Sequence, residues 1–143
     1  MASAIHCAHY DDSFSMQDNA LVLDGHGKPG LIEFQIFCAE QSRLTLEALV
    51  KAPRPANDTY LIQIDDGNQQ VWKLCENDCI MEDFEFKSIT YGYTSKLVFG
   101  AGKHDVRLWS LQNDSLLQYL QIGAVNNEHS NCYFQQGNLP SKL

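Results

Sequence analysis

Basic side chains are scarce in this sequence of 143 residues, in which 10 Lys and Arg stand against 18 Asp and Glu. The formal net charge is −8, and the few basic residues are scattered along the chain. A surface that binds phosphates needs clustered Lys and Arg side chains. We therefore expect neither nucleic acid nor an anionic membrane as a partner.

Long apolar runs are also missing. No stretch approaches the roughly 20 residues needed to span a bilayer, and the first residues lack the charged and apolar regions of a signal peptide. A chain of this length can bury a continuous core without metal or disulfides. We expect a single domain over residues 1–143, with residues 1–19 and 126–143 as peripheral segments.

Sequence motifs of catalysis are absent. The chain has no glycine-rich phosphate loop, nucleophile elbow, zinc-protease motif or cupin motif. The acidic residues Glu82, Asp83 and Glu85 could hold a cation or form a carboxylate pair that cleaves a glycosidic bond. A solvated acidic loop is the simpler interpretation. We predict that the protein is not an enzyme. A small enzyme that acts on polysaccharide is kept as an alternative hypothesis.

The five cysteines give an odd number. Cys75 and Cys79 flank three residues, two of them acidic, and would form a disulfide in an oxidising compartment or remain free thiols in a reducing one. The sequence leaves both alternatives open. No second Cys or His pair stands nearby at ligand spacing, which argues against a tetrahedral zinc site.

Short segments of alternating apolar and polar residues make up most of the chain. Alternation with period 2 is typical of strands with one buried face, and Asp66-Gly67 is a hairpin turn signal. Cys132-Tyr133-Phe134 either packs back onto the body or forms a further strand. We predict strands at residues 31–39, 42–52, 60–65 and 69–74, and three strands joined by tight turns within residues 97–122.

Many short strands separated by frequent turns indicate an all-β domain, an antiparallel β-sandwich of the jelly-roll type. One face of each alternating segment should point into the space between the two sheets. The residues that we expect in this core are Leu44, Leu46, Ala48, Val50, Ile62, Ile64, Val98, Val106 and Leu108.

The order of several motifs resembles one family. They are Ala52-Pro53, Asp58-Thr59-Tyr60, Ile64-Asp65-Asp66-Gly67, Trp72, Phe99-x-Ala101-Gly102-x-His104-x-Val106-x-Leu108 and Leu117-x-Tyr119-x-x-Ile122. Over residues 31–122 this order resembles the galactose-binding-like domains, in particular the carbohydrate-binding modules attached to polysaccharide-degrading enzymes. The Ala101-Gly102-x-His104 turn with its alternating strand is the most specific part of the resemblance.

The resemblance implies a galactose-binding-like jelly roll that binds a poly- or oligosaccharide without catalysis, as a lectin does. A module of this kind would be extracellular or secreted, and besides the carbohydrate it could have a parent enzyme or a second copy of the chain as a partner. The alternative hypothesis is a sandwich whose exposed aromatic side chains bind a polypeptide or a second copy of the chain.

The sequence departs from the family pattern where a structural calcium is often held. The last-strand position is Gln118 instead of Asp, and His6 and Ala8 stand where an acidic pair is expected. Calcium prefers several carboxylate or carbonyl oxygens. We therefore expect no cofactor and no metal ligands.

A saccharide site needs an aromatic platform beside planar polar groups. Trp72, at the end of a hairpin, is the first candidate, and Tyr91 and Tyr93 beside a glycine would form the opposing wall. Asn126 would supply an amide. The alternative is that Trp72 packs in the core and that the tyrosines cap the rim of the sandwich.

Trp109 is a separate candidate for saccharide binding. If Val106 and Leu108 face the core, Trp109 and Arg107 point outward, where the indole would form a flat platform. The alternative, which we favour, is that the N-terminal segment or Tyr133-Phe134 covers Trp109.

His104 stands in the turn before the alternating strand. We interpret it as a hydrogen-bonding residue that stabilises the turn, in preference to a base or a metal ligand. Asp65-Asp66 is interpreted in the same way, because Asp side chains favour turns.

Overall fold

The computed structural model describes residues 2–3, 9–11, 14–23, 30–52, 59–74, 80–92, 94–111, 115–124 and 131–135. No helix long and apolar enough to cross a membrane occurs among these residues. The strands are β1 Ala2–Ser3, β2 His9–Tyr10, β3 Phe14–Gln17, β4 Ala20–Leu23, β5 Gly30–Cys38, β6 Ser42–Lys51, β7 Thr59–Ile64, β8 Gln70–Lys73, β9 Glu85–Ser88, β10 Leu97–Phe99, β11 Gly102–Ser110, β12 Leu116–Ala124 and β13 Cys132–Gln135.

The strands form two antiparallel sheets. The first sheet has the order β10-β6-β12-β4-β3, with β9 also paired to β6 and β1 to β12. The second sheet has the order β13-β5-β11-β7-β8, with β2 also paired to β5. Their inner faces form one apolar core. The predicted all-β sandwich is confirmed.

Alternation explains why the long strands form where they do. In β6 every second residue from Leu44 to Val50 is buried, and in β5 the same holds from Ile32 to Cys38. Polar residues occupy the other positions, so each strand has one face for the core and one for the outside. The predicted strands agree with β5, β6, β7, β8, β10, β11 and β12 to within a few residues at each end.

One predicted core residue is wrong. Val98 is 57% exposed, whereas its neighbours Leu97 and Phe99 are buried. Leu97 pairs directly with Leu44 of β6, and directly paired residues point to the same face of a sheet. Because all three residues of β10 are apolar, they show no alternation. The sequence therefore could not predict which of them face the core. The other eight predicted core residues are buried.

A disulfide joins Cys38, the last residue of β5, to Cys132, the first residue of β13, across a separation of 94 residues. The two cysteines are direct partners in the sheet. The segment 132–134 is therefore a strand, which was one of two predicted alternatives. Cys75 and Cys79 lie outside the described residues.

Candidate functional site

Trp72 belongs to the core, and the prediction that it is an exposed platform is wrong. Its side chain is 1% exposed, and its ring lies 5.6 Å from that of Tyr60. Its Nε1 donates a hydrogen bond to the backbone oxygen of Ser88, at 3.0 Å. Trp72 pairs with Tyr60 across β7 and β8, so both rings point inward.

Tyr91 joins a distant segment to the β7–β8 hairpin. Its hydroxyl donates to the backbone oxygen of Asn68 at 2.7 Å, and the next amide, of Gly92, donates to Oε1 of Gln70 at 2.6 Å. The amide of Tyr91 donates to the oxygen of Thr94 at 2.9 Å. These bonds hold the half-buried Tyr91 against the end of the hairpin.

The turn between β7 and β8 leaves room for the hydroxyl of Tyr91. Asp65 has a positive φ of 52°, and Gln63 Nε2 donates to the oxygen of Gly67 at 2.7 Å. A Cβ atom on Gly67 would collide with the hydroxyl of Tyr91. The hairpin turn is centred one residue earlier than predicted, at Asp65-Asp66, and the amide of Gly67 closes it by donating to the oxygen of Ile64 at 3.1 Å. Glycine is required at position 67 for the close approach of Tyr91.

A polar pocket lies beside Tyr91. It is open, has a volume of about 480 Å³, and is lined by Asn68, Gln69, Gln70, Val71 and Thr90. The lining thus combines three amides, a hydroxyl and one apolar side chain, all of them uncharged. Amides present both donors and acceptors. This chemistry suits an uncharged ligand rich in hydroxyl groups and supplies no group for acid–base catalysis.

The sequence did not identify the polar lining of this pocket. Asn68, Gln69 and Gln70 follow the turn signal and count only as the start of a return strand, and Thr90 is 20 residues further along. A run of amides directly after a hairpin turn was the available signal. Tyr93 and Asn126 lie outside the described residues, so their part in a site stays a prediction.

Trp109 lies on the outer face of the second sheet. It pairs with Leu31 of β5 and Leu61 of β7, and Leu61 pairs with Val71 of β8. Together they form an apolar row of four outward side chains, of which Val71 is 61% exposed. Of the two predicted covers, Tyr133-Phe134 is wrong, because β13 pairs with residues 35–38 of β5, away from Leu31. Cover by the N-terminal segment stays a prediction, because most of residues 1–13 lie outside the described residues.

His104 lies within β11, not in the turn before it as predicted, and its ring contacts the residues of two turns. Its Nδ1 lies 2.6 Å from the carboxylate of Asp65 and its Nε2 lies 2.6 Å from the oxygen of Gly100. Burial alone would lower the pKa of His104, but these two hydrogen bonds and the charges of Asp65 and Asp105 raise it above its usual value. Both ring nitrogens face acceptors, an arrangement that only the protonated imidazole satisfies.

The centre of the outer face carries an ion-pair network. Arg107 Nε donates to Glu33 at 2.7 Å, its Nη1 donates to the backbone oxygen of Asp65 at 3.2 Å, and its Nη2 donates to Asp105 at 3.4 Å. Gln35 also donates to Asp105, at 3.4 Å. Arg107 thus donates to three oxygens, and these bonds stabilise the second sheet.

The residues considered for metal or carboxylate chemistry do not form a centre. Glu82, Asp83 and Glu85 are exposed. Gln118 carries an amide where the resemblance implies a carboxylate, and its amide nitrogen donates to the backbone oxygen of Asp18 at 3.0 Å. Among the described residues, no three His, Cys, Asp or Glu side chains are grouped to hold a metal. His6 and Ala8 lie outside the described residues, so the expectation of no metal ligands stays a prediction.

Of three comparisons with known proteins, the comparison with solved structures gives matches. No protein-family model matches the sequence, and no curated protein matches it. Among solved structures, "CBM35 from Cellvibrio japonicus Abf62" matches with a TM-score of 0.57 and 13% identity, over 96% of this chain and 93% of that one. The protein has a CBM35-like jelly-roll fold.

A second structure, "Xyl-CBM35 in complex with glucuronic acid containing disaccharide", matches with a TM-score of 0.54 and 10% identity, over the same shares of the two chains. The predicted galactose-binding-like sandwich, resembling carbohydrate-binding modules, is thereby confirmed as a fold. At these identities the likeness describes the fold, and the ligand has to be argued from the residues of this chain.

Proposed function

We propose that this protein is a non-catalytic carbohydrate-binding module that holds a poly- or oligosaccharide in the pocket beside Tyr91. Two observations support the proposal. The CBM35-like fold extends over nearly the whole chain, and the pocket places three amides and a hydroxyl next to an aromatic ring. The amide-lined pocket is the observation that carries the proposal, because it belongs to this chain's own residues.

The chemistry of recognition follows from the lining. Sugar hydroxyls donate and accept hydrogen bonds, and the amides of Asn68, Gln69 and Gln70 can match both roles. The methyl groups of Val71 suit the apolar CH groups of a sugar ring. Open sites of this kind bind weakly, with a Kd of roughly 10 μM to 1 mM, equivalent to about −7 to −4 kcal/mol.

Part of the site is ordered before a ligand arrives. The amide of Gly92 donates to Oε1 of Gln70, which restricts the Gln70 side chain and reserves its Nε2 for donating to a ligand in this proposal. The hydroxyl of Tyr91 donates to Asn68, which leaves its oxygen as an acceptor. Side chains fixed in this way lose less conformational entropy on binding.

The experiment is affinity electrophoresis and calorimetry with a panel of polysaccharides and short oligosaccharides. We expect Gln70→Ala to weaken binding about tenfold, because both the donor and the link to Gly92 are lost. Gln41→Ala is the matched control, since Gln41 is an exposed amide outside the pocket. If no saccharide is bound by the unmodified protein, the proposal fails.

A second function is favoured by the apolar row of Leu31, Trp109, Leu61 and Val71. Four outward apolar side chains on neighbouring strands would suit a polypeptide or a second copy of the chain. Sedimentation of Trp109→Gln tests this function. A change in mass with unchanged saccharide binding would support protein association through the row.

A further inference from the structure

A pair of aromatic rings lies on the outer face of the second sheet, at the edge opposite the pocket. Tyr133 of β13 and Phe37 of β5 are direct partners in the sheet, and their ring centroids are 5.5 Å apart. Tyr133 is 56% exposed. We propose that this pair, the aromatic platform, is a second saccharide site that stacks one sugar ring of an uncharged polysaccharide. The inference rests on the proposed function, which makes the ligand a carbohydrate.

The aromatic platform is held from several directions. Cys132 precedes Tyr133, Cys38 follows Phe37, and the two cysteines form the disulfide. On the other side of Tyr133, Phe134 points inward and lies 6.1 Å from Phe34 of the core, centroid to centroid. Both rings therefore stand on backbone that is fixed covalently and by packing, and a fixed platform loses little entropy when a ligand stacks on it.

Polar groups surround the rings on the same face. Lys103 of β11 pairs with Phe37 and is exposed. Gln35 lies two residues before Phe37 on β5, and Gln135 lies two residues after Tyr133 on β13. The two glutamines are paired with each other and share the face of the rings. A sugar that stacks its CH groups on Tyr133 would thus find an ammonium and an amide within reach of its hydroxyls.

The charge of the protein points to an uncharged ligand. A net charge of −8 repels polyanions and also disfavours the close approach of a second copy. An aromatic pair beside glutamines offers stacking and hydrogen bonds, which are the interactions that a neutral sugar ring can make. An uncharged polysaccharide is therefore the occupant that fits this surface.

The aromatic platform and the pocket lie at opposite edges of one sheet. The platform is on β13 and β5, and the pocket lies against β8, at the far end of the order β13-β5-β11-β7-β8. Four strand spacings correspond to about 19 Å. A short oligosaccharide would occupy one site at a time, whereas a polysaccharide surface would engage both. Two weak sites on one rigid body then act together.

The test compares insoluble polymers with short ligands. Cellulose, mannan and galactan serve as neutral polymers in binding assays, and short oligosaccharides of the retained polymer are measured by calorimetry. We expect Tyr133→Thr to lower polymer affinity at least threefold, the loss of one stacking contact, with little change for short oligosaccharides bound in the pocket. Gln70→Ala should weaken both, and the double variant should abolish retention.

The control is Phe86→Thr, because Phe86 is an aromatic residue of the first sheet that is 43% exposed. It should leave polymer binding unchanged. If Tyr133→Thr retains full polymer affinity, and the double variant binds the polymer as well as Gln70→Ala alone does, the platform is refuted and the pocket stands. If Tyr133→Thr converts a dimer into a monomer in sedimentation, the rings are a self-association surface and the proposal is overturned. If the unmodified protein binds no saccharide at all, the proposed function itself is refuted.

Discussion

The two edges of the second sheet are held by different means. At the β13 edge, the disulfide and direct strand pairing fix Tyr133 and Phe37. At the β8 edge, the pocket depends on single hydrogen bonds from Tyr91 and Gly92 to a hairpin about 20 residues earlier. Strand pairing sets the face of each side chain, whereas a pocket between loops depends on a few atoms. We therefore expect the β13 edge to respond to loss of its covalent bond and the β8 edge to small steric changes.

The largest effect should follow from removal of the disulfide. Cys38→Ala with Cys132→Ala opens a link between residues 94 apart, and the chain-entropy model gives about 4.7 kcal/mol for a loop of this size. The free energy of unfolding, measured in urea, should fall by about this amount. Polymer binding at the aromatic platform should fall with it, while short oligosaccharides still bind in the pocket.

Equal losses of polymer and oligosaccharide binding in the folded double variant would contradict this separation of the edges. Tyr133→Thr is the control, because it removes the exposed ring and keeps the disulfide. Its free energy of unfolding should stay close to that of the unmodified protein.

Substitution of Trp72 tests how much the β8 edge depends on the core residue that packs beneath it. Trp72→Ala removes a ring that is 1% exposed and also leaves the backbone oxygen of Ser88 without its indole partner. We expect a loss of about 3 kcal/mol in the free energy of unfolding. Trp72→Phe, which retains most of the buried volume, should lose less. A Trp72→Ala variant as stable as the unmodified protein would contradict the role of this ring in the core.

The two tryptophans show which part of the structure could be predicted from the sequence. Trp109 stands in a nine-residue alternating strand, so the phase set by Val106 and Leu108 places it on the outer face. Trp72 stands in a four-residue strand, and its orientation follows from pairing with Tyr60. In a long strand, the alternation itself shows which residues face the core. In a short strand, the orientation is set by pairing with another strand, which the sequence does not identify.

The candidate site was less predictable than the fold for a related reason. Tyr91 was identified by its residue type, but its contact with Asn68 joins segments 23 residues apart. Cys38 and Cys132 are 94 residues apart, and cysteine spacing alone does not give the pairing of five cysteines. Contacts between strands distant in the sequence depend on the strand order, which alternation does not encode.

A smaller effect should follow from one added methyl group at the β8 edge. In Gly67→Ala the new Cβ would collide with the hydroxyl of Tyr91, so the ring must move and its bond to Asn68 must break. We expect a loss of about 1–2 kcal/mol in the free energy of unfolding and weaker oligosaccharide binding in calorimetry.

The matched control is Gly100→Ala, because a Cβ at Gly100 would meet no atom within 4 Å. It should change neither quantity. Tyr91→Phe removes the colliding hydroxyl and should recover part of the stability lost in Gly67→Ala. No recovery in that double variant would show that the cost arises from the turn backbone alone.

The smallest effect should be a pH dependence of the turn next to the hairpin. The pKa of His104 is raised in the folded protein: burial lowers it, but bonds to Asp65 and Gly100 raise it more. The unfolded chain has the ordinary value of about 6.5. The contribution of the protonated ring is therefore complete below about pH 6.5 and is lost as the pH rises through the folded pKa. His104→Gln should remove this dependence from the free energy of unfolding measured between pH 6 and 9.

Asp65→Asn separates the ion pair from the other contacts of the imidazole. The substitution removes the carboxylate that lies 2.6 Å from Nδ1, while the oxygen of Gly100 still faces Nε2. The pKa of His104, followed by its NMR chemical shifts, should therefore fall in this variant, because burial is then opposed by fewer acceptors. An unchanged pKa would assign the shift to Gly100 and Asp105. Asp65 belongs to the hairpin turn between β7 and β8, which precedes the pocket residues. Saccharide affinity should therefore weaken with rising pH in the unmodified protein more than in Asp65→Asn, whereas binding at the β13 edge should not depend on pH.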